Sequence, residues 1–112
     1  MGKVIVEALD GVHGRSAAGL DARLESLVDD EWVPVVERRT DASGRIDEWG
    51  GTDGGRGLYR LVFDVDRYFT ALGLCTAHPE VAATFRIPDG GSGHRVNLTL
   101  SLNHYAVAFV AD

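Results

Sequence analysis

Residues 95–102 alternate strictly between apolar and polar. Val96, Leu98, Leu100 and Leu102 take one set of positions, and Arg95, Asn97, Thr99 and Ser101 take the other. Side chains of a strand point alternately to its two faces, so this period of two predicts a strand whose leucine row enters a core. The opposite row is polar but, Arg95 apart, uncharged. Such a row suits a wet pocket or an assembly interface better than bare surface. His104 to Ala111 predicts the last strand, with Tyr105, Val107 and Phe109 toward the core. Ala106, Ala108 and Val110 then form a small-residue outer face, a candidate wall for a ligand channel between subunits.

The rest of the chain repeats this logic in shorter pieces. Lys3 to Leu9 is short and β-branched. In Leu20 to Val28, Leu20, Ala22, Leu24 and Val28 oppose Asp21, Arg23 and Glu25. Glu31 to Arg38 carries Pro34, which argues for a sheet edge because proline donates no ladder hydrogen bond. Asp41-Ala42-Ser43-Gly44 predicts a turn before a short strand from Arg45 to about Glu48. Leu58 to Val65 and Val81 to Ile87 predict two more strands, with Gly50 to Gly57 as a loop and Pro88 to Gly93 as a hairpin loop.

One segment departs from the pattern. Asp66 to Gly73 opens on a residue type that caps helices and closes on a glycine suited to the C′ position. Tyr68, Phe69 and Leu72 fall at helical spacing, so it predicts a helix of about two turns, plugging one end of a sandwich. Eight strands and one short helix predict an all-β fold, an eight-stranded antiparallel two-sheet sandwich, with residues 1–112 as one domain.

Composition limits what such a chain does. Eleven basic and seventeen acidic residues give a formal charge of −6, and no basic face for nucleic acid is visible. No apolar run approaches the roughly 20 residues that span a bilayer. The start, Met1-Gly2-Lys3-Val4, has no signal-peptide h-region, so the expectation is a soluble, cytoplasmic protein. A single cysteine excludes an internal disulfide framework and multi-cysteine zinc sites. Cys75 has no sequence-local base and is expected as buried packing. His13 and His78 are expected in turns or at the surface, and His94 and His104 show no metal-like spacing, so no metal site is expected. Asp29, Asp30 and Glu31 are expected as a solvated turn, and Gly54-Gly55-Arg56-Gly57 lacks the Lys-Ser/Thr of a phosphate-binding loop.

Four segments carry a resemblance. Ala8-Leu9-Asp10-Gly11-Val12-His13-Gly14-Arg15-Ser16-Ala17-Ala18-Gly19 resembles the opening of the transthyretin and 5-hydroxyisourate hydrolase family, and Thr40-Asp41-Ala42-Ser43-Gly44-Arg45 resembles its second turn motif. Leu58-Tyr59-Arg60-Leu61-Val62-Phe63 and His78-Pro79-Glu80-Val81 resemble the strand before its helix and the segment after it. The segments occur in family order over nearly the whole chain. The resemblance implies a transthyretin-like sandwich assembled as a homotetramer, with the last two strands lining a central channel.

The hydrolase branch opens the ring of 5-hydroxyisourate. Its site, as the resemblance implies it, uses a first-strand histidine, an arginine of the second turn, a histidine at the start of the seventh strand and a C-terminal Tyr-Arg-Gly-Ser. Here the arginine is Arg45, but the first histidine position is Glu7. Matching Val96, Leu98, Leu100, Ser101 and Tyr105 places the second histidine at Arg95, while a register one residue different brings His94 there. The Tyr-Arg-Gly-Ser positions become Ala108-Phe109-Val110-Ala111.

The substituted residues suggest their own chemistry. Glu7 is a candidate acid/base if its surroundings favour proton exchange, and otherwise half of a structural Glu–Arg pair. Arg45 and Arg95 would present paired donor forks to a carboxylate, an enolate or a urea-like oxygen. Asn97, Thr99, Ala106 and Ala108 would line the substrate space, widened by the small side chains. Three functions stay open: a diverged enzyme cyclising, opening or hydrolysing a small heterocyclic or anionic substrate without a cofactor, a 5-hydroxyisourate hydrolase with an atypical site, and a non-catalytic ligand-binding protein. None calls for a nucleic acid or a membrane.

Overall fold

The computed structural model describes residues 4–49, 57–87 and 93–111. In chain order the elements are β1 (Val4–Asp10), β2 (Arg15–Ser16), β3 (Asp21–Val28), β4 (Glu31–Arg39), β5 (Arg45–Ile46), β6 (Gly57–Asp64), α1 (Val65–Thr70), β7 (Glu80–Ile87), β8 (His94–Leu100) and β9 (Tyr105–Ala111). All eight expected strands form, most with ends shifted by a residue or two. β2 is additional, and two residues are too few to show any period. It forms because the chain reverses after β1, where the Gly14 N–H donates to the Asp10 carbonyl, and then pairs Ser16 with Leu9.

The strands make two layers. One sheet has the order β2-β1-β8-β9 with β5 also paired to β1, and the other has the order β4-β3-β6-β7. The edge position argued from Pro34 holds, since β4 ends its sheet. Val96, Leu98 and Leu100 are fully buried and meet Leu24, Leu61 and Phe63 in the shared core. Each such side chain contributes about 1.5–3 kcal/mol.

Several expectations need correction. The sandwich is not wholly antiparallel: β1 and β8 run parallel, with Glu7 opposite Asn97. Strands so far apart in the chain are not joined by a hairpin, so nothing forces them to be antiparallel. The hairpin expected over residues 88–93 lies mostly outside the described residues, and β7 and β8, on either side of it, belong to different sheets. The loop expected from Gly50 to Gly57 lies outside them too, except for Gly57, which opens β6.

Tyr105 and Phe109 are not core. They are 46% and 45% exposed, the Phe109 ring lying 5.8 Å from that of buried Phe85, while Val107 is partly buried against the core. β9 is an edge strand, so its inward side chains meet only the rim of the facing sheet, at β7. In the β3–β4 pair the register shifts by one, with Val35 of β4 falling between the partners of Leu24 and Glu25, while β3 keeps its alternation against β6. Val28, at the end of β3, is exposed, and Glu25 is buried under Arg23 and Arg60, whose Nε atoms donate to it at 2.7 Å each. Arg60 also lies 4.5 Å over the Trp32 ring.

The helix begins earlier than its sequence suggests. Asp64, not Asp66, caps it by accepting from the Arg67 N–H at 3.0 Å. Gly73 does close it: at φ +78° it lets Gly73 and Leu74 donate back to the Thr70 and Phe69 carbonyls. Phe69 is fully buried, so α1 closes one end of the core as expected.

Candidate functional site

Two turns and one register bring the site together. In the turn before β5, Asp41 Oδ1 accepts from the Ser43 and Arg45 N–H groups at 2.9 and 3.0 Å, which holds its carboxyl below the usual aspartate range. Gly44 follows at φ +73°, and any Cβ there would collide with the Ala8 carbonyl oxygen. Its own carbonyl accepts from the Ala8 N–H at 2.8 Å. This turn sets Arg45 directly opposite Glu7 in the β1–β5 pair. On the other side of β1, β8 places Arg95 opposite Ile5, Asn97 opposite Glu7 and Thr99 opposite Leu9. β9 then places Ala108 opposite Asn97 and Ala106 opposite Thr99. Directly paired residues share a face. The seven candidates Glu7, Arg45, Arg95, Asn97, Thr99, Ala106 and Ala108 therefore lie on one outer face, across four adjacent strands.

At its centre, Glu7 Oε1 is 3.6 Å from Arg45 Nη1 and 3.4 Å from Arg95 Nη1. All three side chains are about two-fifths exposed. Arg45 Nε also faces Asp47 Oδ2 at 3.6 Å, two residues along the chain. These contacts exceed the usual 2.7–2.9 Å of charge-assisted hydrogen bonds. Arg45 Nε, Arg95 Nε and Asn97 Oδ1 are shielded from solvent and, among the described residues, have no hydrogen-bond partner. The cluster holds two cations, two carboxylates and one amide without closing on itself. It can hold an anion between guanidinium edges and present a carboxylate for proton transfer.

His94 is not part of this face. It is paired with Val4 and Ala111, and its ring lies 5.9 Å from Phe85. Of the two residues, Arg95 is the one that shares the outer face with Glu7. His78 is half-buried against the Tyr105 ring at 5.0 Å, and Cys75 is exposed rather than packed, because it lies in the irregular segment beyond α1. No metal-ligating group of three or more side chains occurs among the described residues.

Sequence reasoning missed a second cluster. Asp10 is fully buried at the end of β1. Its Oδ1 accepts from the Val12 and His13 N–H groups at 2.9 Å each, and its Oδ2 from Tyr68 Oη at 2.8 Å, with His13 Nδ1 at 2.7 Å. Burial pushes the Asp10 carboxyl up, but these hydrogen bonds and the His13 charge outweigh it and leave the carboxyl below its ordinary value. Burial, then the bond to Asp10, pushes the Tyr68 hydroxyl up to about 12. The cluster ties β1 and the turn after it to α1. The available signal was an aspartate two and three residues before the N–H groups it accepts, the spacing of an Asx-type turn.

A concavity of about 900 Å³ lies elsewhere, on the outer face of the second sheet among Asp21, Arg23, Arg39, Val62, Arg67 and Glu80. Its most prominent feature is one carboxylate, Asp21, joined to Arg39 at 2.8 Å and Arg67 at 3.4 Å. The Glu7 face is an open sheet surface, which becomes a cavity only when another surface covers it.

Comparison with known proteins settles the family. The sequence profile described as "HIUase/Transthyretin family" matches residues 4–108. The chain belongs to this family. The 5-hydroxyisourate hydrolase of Salmonella typhimurium is 32% identical over 102 residues, covering 90% of this chain and 75% of that one. Among solved structures, the transthyretin of Sparus aurata superposes with a TM-score of 0.90 at 27% identity, covering 97% of both chains. A sea bream transthyretin in complex with thyroxine superposes at 0.89 with 25% identity, covering 97% of this chain and 95% of that one. The all-β transthyretin-like sandwich expected from the sequence is thereby established. Among the described residues, no helix is long and apolar enough to cross a membrane.

Proposed function

We propose that this member of the HIUase/Transthyretin family is an enzyme performing acid–base chemistry on a small heterocyclic or anionic molecule at the Glu7–Arg45–Arg95 cluster. The observation that carries the reading is Glu7 Oε1 standing within 3.6 Å of both guanidiniums while Arg45 Nε, Arg95 Nε and Asn97 Oδ1 have no hydrogen-bond partner among the described residues. Glu7 takes up or returns the proton. Arg45 and Arg95 hold an anionic substrate or the oxyanion that develops during ring opening, cyclisation or hydrolysis. Asn97 and Thr99 orient the substrate, and Ala106 and Ala108 leave it room. The chemistry needs no cofactor.

The reading includes a cytoplasmic homotetramer, a single domain per chain, whose channel is walled by this face. Three observations support an assembly. The face is open in one chain, β7 and β9 both end their sheets among the described residues, and Tyr105, Phe109 and Val110 are exposed on β9. Free edges and exposed apolar side chains of this kind are usually covered by a partner.

The experiment is a melting-shift screen of small planar heterocycles and anions against the wild-type protein, Glu7→Gln and Arg95→Ala. The reading expects ligands whose shift depends on both residues. Ligands that shift all three proteins equally would place the site elsewhere. A second reading, 5-hydroxyisourate hydrolysis, is favoured by the name of the Salmonella relative and by Arg45. It requires Glu7 and Arg95 to serve where that branch has histidines.

A further inference from the structure

We infer that the ligand of the Glu7 face is a small planar carboxylate with an amide-type N–H beside it. The inference rests on the site reading above and adds the ligand's chemical class. It follows from which groups the fold leaves unsatisfied and where. Among the described residues the shielded Nε donors of Arg45 and Arg95 have no hydrogen-bond acceptor, Arg45 Nε reaching only Asp47 Oδ2 at 3.6 Å, while their Nη1 atoms share a single oxygen, Glu7 Oε1, at 3.6 and 3.4 Å. A guanidinium edge offers two parallel N–H groups and is satisfied best by two oxygens on one carbon. A carboxylate supplies that pair.

Asn97 makes the opposite demand. Its Oδ1 is shielded and has no donor among the described residues, and it lies on the same face, directly opposite Glu7. An unpaired buried acceptor costs free energy until a donor reaches it. A simple carboxylate has no donor to give. A neutral ring with an N–H satisfies Asn97 but leaves both arginine edges empty. Only a ligand carrying both groups answers both demands.

The spacing suits one ring. Arg95 and Asn97 are two positions apart on β8, about 6.6 Å along the strand, and Asn97 and Glu7 sit on neighbouring strands about 4.8 Å apart. A single ring with a carboxylate on one carbon and N–H on the next bridges such a span. Ala108 opposite Asn97 and Ala106 opposite Thr99 put no bulk in its way.

The test is isothermal titration calorimetry of the assembled protein with three probes. Orotate has a ring carboxylate beside a ring N–H, benzoate has the carboxylate alone, and uracil has the ring N–H alone. The inference expects orotate to bind at least about tenfold tighter than either, because losing one buried polar contact of this kind typically weakens binding by that factor or more. Arg95→Ala should weaken orotate by about tenfold or more and leave uracil unchanged. Asn97→Ala should bring orotate down to the level of benzoate. Thermal melts establish that each variant is folded, with Arg95→Gln replacing any Arg95→Ala protein that is not. Benzoate or uracil binding as tightly as orotate, no orotate binding, or Asn97→Ala leaving the preference intact would each overturn the inference. If the inference fails while other ligands still depend on Glu7 and Arg95 in the melting-shift screen, the ligand class is wrong and the site stands. If that dependence is absent as well, the site reading fails.

Discussion

Arg95 Nη1 stands 3.4 Å from Glu7 Oε1 although the two residues are not opposite each other: Arg95 is paired with Ile5, and Glu7 with Asn97. The guanidinium therefore leans diagonally along the sheet to reach the carboxylate that Arg45 approaches from the other side. A half-exposed pair of this length contributes about 0–1 kcal/mol. Glu7→Gln should accordingly leave the melting temperature nearly unchanged. Turnover of a substrate found by screening should fall by roughly 10²- to 10⁴-fold, the usual contribution of a general acid or base. Wild-type turnover in Glu7→Gln would return Glu7 to a structural ion pair.

The Asp10–Tyr68 bond governs stability at both ends of the pH range. The Asp10 carboxyl titrates below its unfolded value of about 3.9, so its contribution is present above that pH and is lost as pH falls through the folded value. Tyr68 titrates at about 12 when folded and about 10 when unfolded, so its contribution is full below pH 10 and disappears as pH rises toward 12. Tyr68→Phe should remove the alkaline loss and lower stability near neutrality by about 1.5–3 kcal/mol, the range for a hydrogen bond to a charged group. Urea unfolding at pH 7 and pH 11 checks both. An unchanged alkaline limb in Tyr68→Phe would mean another group controls it.

Gly44 holds Arg45 in place. Replacing it by alanine puts a Cβ against the Ala8 carbonyl oxygen in a left-handed backbone conformation, at a cost of at least about 1–2 kcal/mol. The turn must rearrange, and Arg45 should move away from Glu7. Gly44→Ala should therefore lower melting temperature and weaken any ligand that depends on Arg45. A variant with unchanged stability and binding would contradict this account of the turn.

Phe109 and Tyr105 test the assembly. Phe109 is 45% exposed and its ring lies 5.8 Å from that of Phe85, so Phe109→Glu should lower the melting temperature modestly while leaving the fold intact, as circular dichroism would show. In a homotetramer covering this edge, the buried charge should reduce the particle mass measured by light scattering. A monomer mass for the wild-type protein at micromolar concentration would remove the channel from the account.

The architecture was legible because it depends on period. The β8 row of Val96, Leu98 and Leu100 allows one orientation only, and Gly44 with Asp41 marks a turn by backbone chemistry alone. What was not legible depends on neighbours from elsewhere in the chain. Tyr105 and Phe109 alternate as core residues do, and only the position of β9 at a sheet edge exposes them. Glu25 looks solvent-facing until two arginines bury it. Asp10 is a turn residue by sequence, and its bond to Tyr68 crosses 58 positions. The face shared by Glu7, Arg45 and Arg95 was expected from the family resemblance, and the approach of Asp47 to Arg45 follows from their two-residue spacing on the strand expected from Arg45.

The most direct test of the central claim, that this site carries chemistry of its own rather than that of the hydrolase branch, is the decay rate of freshly generated 5-hydroxyisourate at catalytic concentrations of the wild-type protein. On the proposed reading, in which Glu7 and Arg95 take the positions of that branch's histidines, the account expects a rate close to the spontaneous one. Rapid, saturable decay that Glu7→Gln abolishes would contradict it and make the chain a 5-hydroxyisourate hydrolase with a glutamate base.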